Sequence, residues 1–225
     1  MTGAEQTEHI PAIAAVVLAG GLARRMGGGD KGLKALGNAP LLARVIAAVR
    51  PQVAHLALNA NGDPSRFAAF ALPVLADDLP DHPGPLAGVL AGMVWARQTL
   101  PGISWLLSVP SDTPFLPADL VARLFQAVAA APPATHATVQ SGASLHPVIG
   151  LWPVALADAL RQAMVTEGLR KVDVWTRRYP RRIVTWPTIP VDPFFNANTP
   201  ADLQAAEALL DAGGPALQEA PSTGS

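Results

Sequence analysis

From Ile13 to Ala19 the chain carries no polar side chain, and the run stops at Gly20–Gly21. A short, continuous apolar stretch rich in β-branched residues and closed by glycine predicts a strand buried on both faces, as in a parallel sheet. After a glycine-rich segment, Pro40–Val49 has apolar residues at helical spacing and His55–Asn59 reads as a second strand, which makes a β-loop-α-β unit. The alternation continues. Pro73–Ala76 predicts a third short strand, Leu86–Leu100 a helix, and Ser104–Val109 a fourth strand that ends at Pro110 and Asp112.

The second half is less regular. Pro117–Ala131 predicts a helix with proline in its first turn, where the missing N–H is not needed. Thr135–Gln140 and His146–Leu151 read as strands, Val154–Val165 and Lys171–Arg178 as helices, and Arg182–Trp186 as an edge strand. Asn198-Thr199-Pro200 is a helix-start signature that leads into Ala201–Leu210. Gly213–Ser225 has little to bury and predicts a disordered tail. The expected organisation is an N-terminal extension over residues 1–11, one domain over 12–211 and the tail over 212–225. Alternating strands and helices predict an α/β fold, a three-layer α/β/α sandwich around a mainly parallel sheet. Ligands of such sheets bind outside the carboxyl ends of the strands. The informative residues should therefore follow strands, in Gly20–Lys31, Asn59–Gly62, Asp77–Gly88 and Ser111–Pro114.

Composition narrows the chemistry. With 225 residues, 50% hydrophobic and 15% charged, the chain is long and apolar enough for a full core. A formal net charge of −1 gives no general attraction to nucleic acid or to an anionic membrane, so an anion site must be local. The absence of cysteine excludes a disulfide framework, Cys-ligated zinc and a thiol nucleophile. No apolar run reaches the roughly 20 residues of a membrane span. Met1–Ile10 lacks Lys and Arg, unlike a secretory or transit peptide, so a cytoplasmic protein is expected, a monomer or weak oligomer.

The strongest chemical signal is the segment Leu18-Ala19-Gly20-Gly21 through Arg25-Met26-Gly27-Gly28-Gly29-Asp30-Lys31-Gly32. Five glycines before Lys31 let backbone N–H groups approach a polyphosphate, while Arg25 and Lys31 supply neutralising charge. It is neither a Walker A loop nor a Gly-x-Gly-x-x-Gly dinucleotide motif. The plain alternative is a loop with two solvated basic residues. Asp112, in Pro110-Ser111-Asp112-Thr113-Pro114, stands where a carboxylate can hold Mg²⁺ between substrate phosphates, or simply make a turn before Pro114.

Other candidates are weaker. Asp77 opens an acidic, proline-restricted loop in which Gly84 and Gly88 permit close backbone contact with a ligand; an Asp there can accept hydrogen bonds from guanine or a ribose hydroxyl, or merely precede a helix. Asn59-Ala60-Asn61 and Asn196-Ala197-Asn198 offer amides that donate and accept together, which suits a purine or a pterin. Helix capping explains Asn198 equally well. His146-Pro147 reads first as a loop-ordering pair. The basic residues Arg170, Lys171, Arg177, Arg178, Arg181 and Arg182 form a local cluster that could hold an anionic acceptor or be a solvated face.

Taken together, Leu-Ala-Gly-Gly-(x)3-Arg-Met-Gly-Gly-(x)-Asp-Lys-Gly-Leu, Asn-Ala-Asn, Asp-(x)6-Gly-Pro-Leu-Ala-Gly, Pro-Ser-Asp-Thr-Pro and Asn-x-Asn-Thr-Pro resemble the molybdenum cofactor guanylyltransferase family, from about Ala12 to Leu210. The resemblance implies a Rossmann-like nucleotidyltransferase fold and transfer of GMP from GTP to molybdopterin, with release of pyrophosphate. It also implies nucleotide contacts at Leu18, Ala19, Gly20 and Gly21, phosphate contact at Lys31, a GTP site that includes Asn59 and Asp77, Mg²⁺ at Asp112, and a molybdopterin side at Asn196 and Asn198. Ser111 stands where many members carry cysteine. Transient contact with other molybdenum cofactor biosynthesis proteins or with molybdoenzymes is a further implication.

The mechanism that fits is in-line attack of an acceptor phosphate on the α-phosphorus, with positioning and charge neutralisation supplying most of the catalysis. Arg25, Lys31 and Asp112 are the candidate catalytic residues. Two other readings stay open: a related enzyme that uses CTP or acts on a sugar or polyol phosphate, and a nucleotide-binding module without catalysis.

Overall fold

The first strand, β1 (Ala14–Leu18), feeds two cores at once. Ala15 and Val17, with the flanking Ile13 and Ala19, enter one, while Ala14 and Val16 enter the other. Successive strand side chains point to opposite faces, so a strand covered on both faces carries apolar residues throughout. The computed structural model describes residues 10–20, 29–79, 84–133 and 135–213. The expected N-terminal extension and tail thus lie almost wholly outside the described residues, as do Gly21 and Arg25.

β1 pairs in parallel with β4 (His55–Asn59) on one side and β6 (Trp105–Pro110) on the other, and β4 pairs in parallel with β5 (Val74–Leu75). Direction then reverses. β8 (Ser144–Pro153) lies antiparallel between β6 and β7 (His136–Ser141), and β9 (Arg181–Trp186) closes the edge parallel to β7. The sheet order is β5-β4-β1-β6-β8-β7-β9, mainly parallel as the alternation predicts.

One face is covered by α1 (Leu41–Val49) and α3 (Leu120–Val128), whose Leu42, Val45, Leu120 and Leu124 join the core of Val17. The other is covered by α2 (Pro85–Thr99) and α4 (Ala157–Glu167), through Leu86, Leu90, Met93, Leu160 and Met164. This is the expected three-layer α/β/α sandwich. No helix among the described residues is long and apolar enough to cross a membrane.

Two smaller parts position the site. A hairpin of β2 (Ala35–Leu36) and β3 (Ala39–Pro40) and the C-terminal helix α6 (Pro200–Asp211) share a third core with Phe115 and Ala197. In β8, pairing with β6 ends at Ser108↔Gly150, so the first residues of β8, from Ser144 to Pro147, extend past Pro110, the carboxyl end of β6.

Several boundaries differ from expectation. The helix expected from Pro117 starts at Leu120, after a turn in which Leu120 N–H bonds Pro117 O at 3.3 Å. The helix expected over Val154–Val165 splits into a 3₁₀ turn, Val154–Leu156, and α4. The short helix expected over Lys171–Arg178 is α5 (Val172–Thr176). Neither the hairpin nor the 3₁₀ segment Pro64–Phe70 was legible in the hydrophobic pattern, because both are too short to show a period.

Candidate active site

A cleft of about 540 Å³ opens at the carboxyl ends of β1, β4 and β6, lined by Leu18, Gly20, Lys31, Asn59, Asn61, Asp77, Gly84, Ser111, Asp112 and Asn196, and by Leu145–Ile149 of β8. Residues flagged after four separate strands thus meet in one place, as the topology requires.

At its centre, the Lys31 ammonium contacts Asp112 Oδ2 and Asn198 Oδ1. The three come from a 3₁₀ turn (Lys31–Leu33), the end of β6 and the approach to α6. Two local features hold them there. Ala197 N–H donates to Asp112 O at 3.0 Å, and Ala197 itself is buried in the third core, so its neighbours Asn196 and Asn198 are pinned beside the aspartate. On the other side, Gly32 lies so close to Ser111 that a Cβ would stand 3.0 Å from Ser111 Cβ. A small residue at Ser111 lets the Lys31 turn pack onto β6.

Asn198 is not the helix cap. Thr199 caps α6: its hydroxyl accepts from Asp202 N–H at 3.2 Å, while Asp202 accepts from the N–H groups of Thr199 and Asn198, each at 2.8 Å. The Asn198 side chain is free to turn to Lys31. Asn196 Oδ1 accepts from the buried Thr113 hydroxyl at 2.9 Å, so this residue faces the cleft with its Nδ2.

Asp112 Oδ1 is buried without a hydrogen-bond partner among the described residues. An unpaired carboxylate oxygen out of water costs about 1–3 kcal/mol or more, and it is the donor type a hard divalent cation takes. Asn198 Oδ1, which shares the Lys31 ammonium with Asp112 Oδ2, is a second oxygen at this centre. The residues present fit such a cation, with one carboxylate and substrate phosphates completing the shell. Among the described residues no group of three or more His, Cys, Asp or Glu side chains could hold a metal alone.

The far wall is built around Asp77. Asn59 Nδ2 donates to Asp77 Oδ1 at 2.9 Å and Asn61 Nδ2 to Oδ2 at 2.6 Å, while Asp77 N–H donates to Asn61 Oδ1 at 2.8 Å. Asn59 also donates to Leu75 O at 3.1 Å, so both its amide hydrogens are used and only Oδ1, which packs against Gly88 of α2, is left as an acceptor. The sequence reading gave Asn59 mixed donor and acceptor character; the structure leaves it an acceptor. Gly88 has a different role from the expected ligand contact. A Cβ there would stand 2.6 Å from Leu18 Cδ2 and 2.8 Å from Asn59 Cγ, so the glycine makes room for two site residues rather than for ligand. Gly84 lines the cleft at φ +124°, a backbone region open to glycine alone in practice.

Arg66 carries no signal in the sequence. It ion-pairs with Asp30 at 2.8 Å and donates to Asn61 O at 2.5 Å, tying the residue before Lys31 to the Asp77 wall. It sits in the unpredicted 3₁₀ segment, which carries no motif. The basic cluster of the second half does not converge on the cleft: Arg178 pairs with Glu167 at 2.6 Å and Arg177 with Asp173 at 3.5 Å.

A lysine ammonium, a carboxylate with an unpaired oxygen and an acceptor-rich wall in one cleft of a mainly parallel sheet suit a nucleotidyltransferase. Residues 15–180 match the model of the MobA-like NTP transferase domain. The molybdenum cofactor guanylyltransferase of Nitrobacter hamburgensis is 54% identical over 209 residues, covering 92% of this chain and 100% of the relative. The chain therefore belongs to the MobA-like NTP transferase family. Among solved structures, the molybdopterin-guanine dinucleotide biosynthesis protein A of Archaeoglobus fulgidus superposes with a TM-score of 0.68 at 22% identity, over 88% of this chain and 99% of its own. Rv0371c of Mycobacterium tuberculosis, solved as a manganese complex, gives 0.61 at 18% identity over 88% and 98%. Both are similar in fold.

Proposed function

We propose that the protein transfers GMP from GTP to molybdopterin, releases pyrophosphate and forms the molybdopterin guanine dinucleotide. The observation that carries the reading is that Lys31, Asp112 and Asn198 meet at one point of a cleft whose far wall is built from Asn59, Asn61 and the Asp77 carboxylate. Guanine carries adjacent N–H donors on N1 and the 2-amino group, whereas cytosine carries one exocyclic amine. A wall of acceptors thus favours guanine, and the 54% identity to a guanylyltransferase supports the same choice.

In this reading Leu18 and Gly20 border the nucleotide, with Ala19 between them turned into the core, Lys31 neutralises its phosphates, Asn59 and Asp77 read the base or ribose, and Asn196 and Asn198 face the acceptor. Gly21 and Arg25 complete the phosphate loop. Lys31 leaves Asp112 and Asn198 for the triphosphate when nucleotide enters, which frees both oxygens. Mg²⁺ held there would offset charge developing between the α-phosphorus and the departing pyrophosphate. Attack by the acceptor phosphate needs no protein nucleophile, so the residues bind, align and neutralise. Residues 12–211 form the catalytic domain in this reading, and delivery or collection of the cofactor involves transient contact with other proteins of the pathway.

The test is to incubate the protein with Mg²⁺, molybdopterin and each nucleoside triphosphate in turn, measuring pyrophosphate and the dinucleotide. Product with GTP alone supports the proposal. Product with CTP alone makes the protein a cytidylyltransferase, and nucleotide binding without pyrophosphate in every combination makes it a binding module.

A further inference from the structure

On the β8 side of the cleft stands a polar chain that the reading above leaves unused. Asp192 Oδ2 accepts from the Ser141 hydroxyl at 3.0 Å, and Ser141 Oγ lies 2.8 Å from His146 Nε2. Asp192 is itself held through Oδ1, which accepts from Phe194 N–H at 2.9 Å. Ser141 is buried, and the His146 ring lies 5.3 Å from the Phe194 ring at a tilt of 50°.

The order of the three residues decides the tautomer. A carboxylate only accepts, so the single Ser141 proton goes to Asp192, and Ser141 Oγ can then only accept from the imidazole. The Nε2–H bond of His146 is thereby specified. In the neutral ring Nδ1 is left as a bare lone pair, and it has no hydrogen-bond partner among the described residues. Burial lowers the His146 pKa, the Asp192 charge acting against it, which favours the neutral ring at physiological pH.

His146 lines the cleft, and the sheet order places it across Asp112 from the nucleotide wall. Asn59 and Leu18 end β4 and β1, Asp112 follows β6, and His146 belongs to the part of β8 that runs beyond the end of β6. A lone pair repels a phosphate oxygen and attracts an N–H or O–H. We infer that His146 is an acceptor-substrate residue, its Nδ1 taking a hydrogen bond from an N–H of a heterocycle whose phosphate end points to Lys31 and Asp112, with Ser141 and Asp192 as positioning residues that hold the tautomer. The inference rests on the proposed function for the identity of that heterocycle, a pterin.

Asparagine and glutamine separate binding from structure. In His146→Asn an amide oxygen takes the place of Nδ1 while the Ser141 bond is lost; in His146→Gln an N–H takes the place of Nε2 and no acceptor remains at Nδ1. The Gln variant should keep the wild-type melting temperature and raise KM for molybdopterin about tenfold, the loss of one hydrogen bond. The Asn variant should melt lower yet keep KM within about threefold of wild type, and the Kd for GTP should be unchanged in both. The reverse order, with Gln retaining the wild-type KM and Asn losing it, would overturn the inference and leave His146 a structural residue. Fluorescence titration with a free pterin repeats the comparison without turnover. Wild-type turnover with no difference among variants sinks the inference alone. No turnover, but pterin binding lost in Gln and kept in Asn, sinks the guanylyltransferase reading and leaves the inference standing. Pterin binding equal in all three overturns it in either case. The ¹⁵N shifts of His146 should report an Nε2-protonated ring in the wild type and a mixed tautomer in Ser141→Ala.

Discussion

Lys31 and Asp112, 81 positions apart in the chain, form an ion pair whose side chains are only 11% and 16% exposed, and the aspartate's second oxygen is buried with no partner among the described residues. Each member is therefore a partner of the other in the free protein, and in the proposed function both turn to substrate. Removing the carboxylate should cost far more in the reaction than in the fold. Asp112→Ala is expected to lower kcat by about 10² to 10³, the scale of losing one electrostatic stabiliser, with a native circular dichroism spectrum. A variant of full activity would remove Asp112 from the site.

Lys31→Ala leaves Asp112 unpaired and takes charge from the phosphate end. GTP binding, measured by calorimetry, should weaken by at least about tenfold, and turnover should fall with it. Lys31→Arg should not restore full activity, since the planar guanidinium replaces a compact ammonium between two oxygens. Unchanged GTP affinity in both would make Lys31 a structural partner of Asp112 only.

Gly88→Ala tests the far wall without removing a polar group. The added methyl meets Leu18 and Asn59 inside a packed helix-sheet contact. Overpacking of this kind costs about 1–3 kcal/mol, and the displaced Asn59 loosens Asp77. A lower melting temperature together with a raised KM for GTP is expected; wild-type values for both would show that the wall yields at no cost.

His136 sets an acid limit on stability. It is buried, stacks on Trp152 with ring centroids 5.3 Å apart, and its Nε2 has no partner among the described residues. Burial first, then the nearby Arg181 charge, lowers its pKa from 6.5 to about 4. The unfolded chain thus binds a proton between about pH 6.5 and 4 that the folded chain refuses, so stability falls as pH drops through that window. At about 1.4 kcal/mol per unit, the loss approaches 3 kcal/mol at pH 4. His136→Phe should flatten this part of the stability curve, read from urea midpoints between pH 7 and 4. An equally steep curve would place the acid sensitivity elsewhere.

Much of this molecule is visible in the hydrophobic pattern because its strands are buried on both faces. β4 spans the expected His55–Asn59, and β1, α1, α2 and β6 fall within a residue or so of their expected bounds. The site was legible for the same reason: in a mainly parallel sheet, a residue that follows a strand is placed at the ligand-binding edge before any side-chain contact is known. Legibility failed where the deciding partner is distant. Asn198 stands in a helix-start signature, and nothing local says that Thr199 caps the helix while Asn198 turns to Lys31, 167 positions away. Gly88 lies in an ordinary apolar helix, and its purpose is visible only once Asn59 is set against it.

Periodicity and glycine placement along the chain were thus enough for the layers, for the cleft and for most of the residues around it, since these follow from which surfaces must be hidden from water. Protonation and polarity were not. Whether Asn59 donates or accepts, which oxygen of Asp112 stays unpaired and which nitrogen of His146 carries the proton depend on hydrogen-bond partners brought in from other strands. A side chain's own chemistry offers several such states, and only its packed neighbours select one.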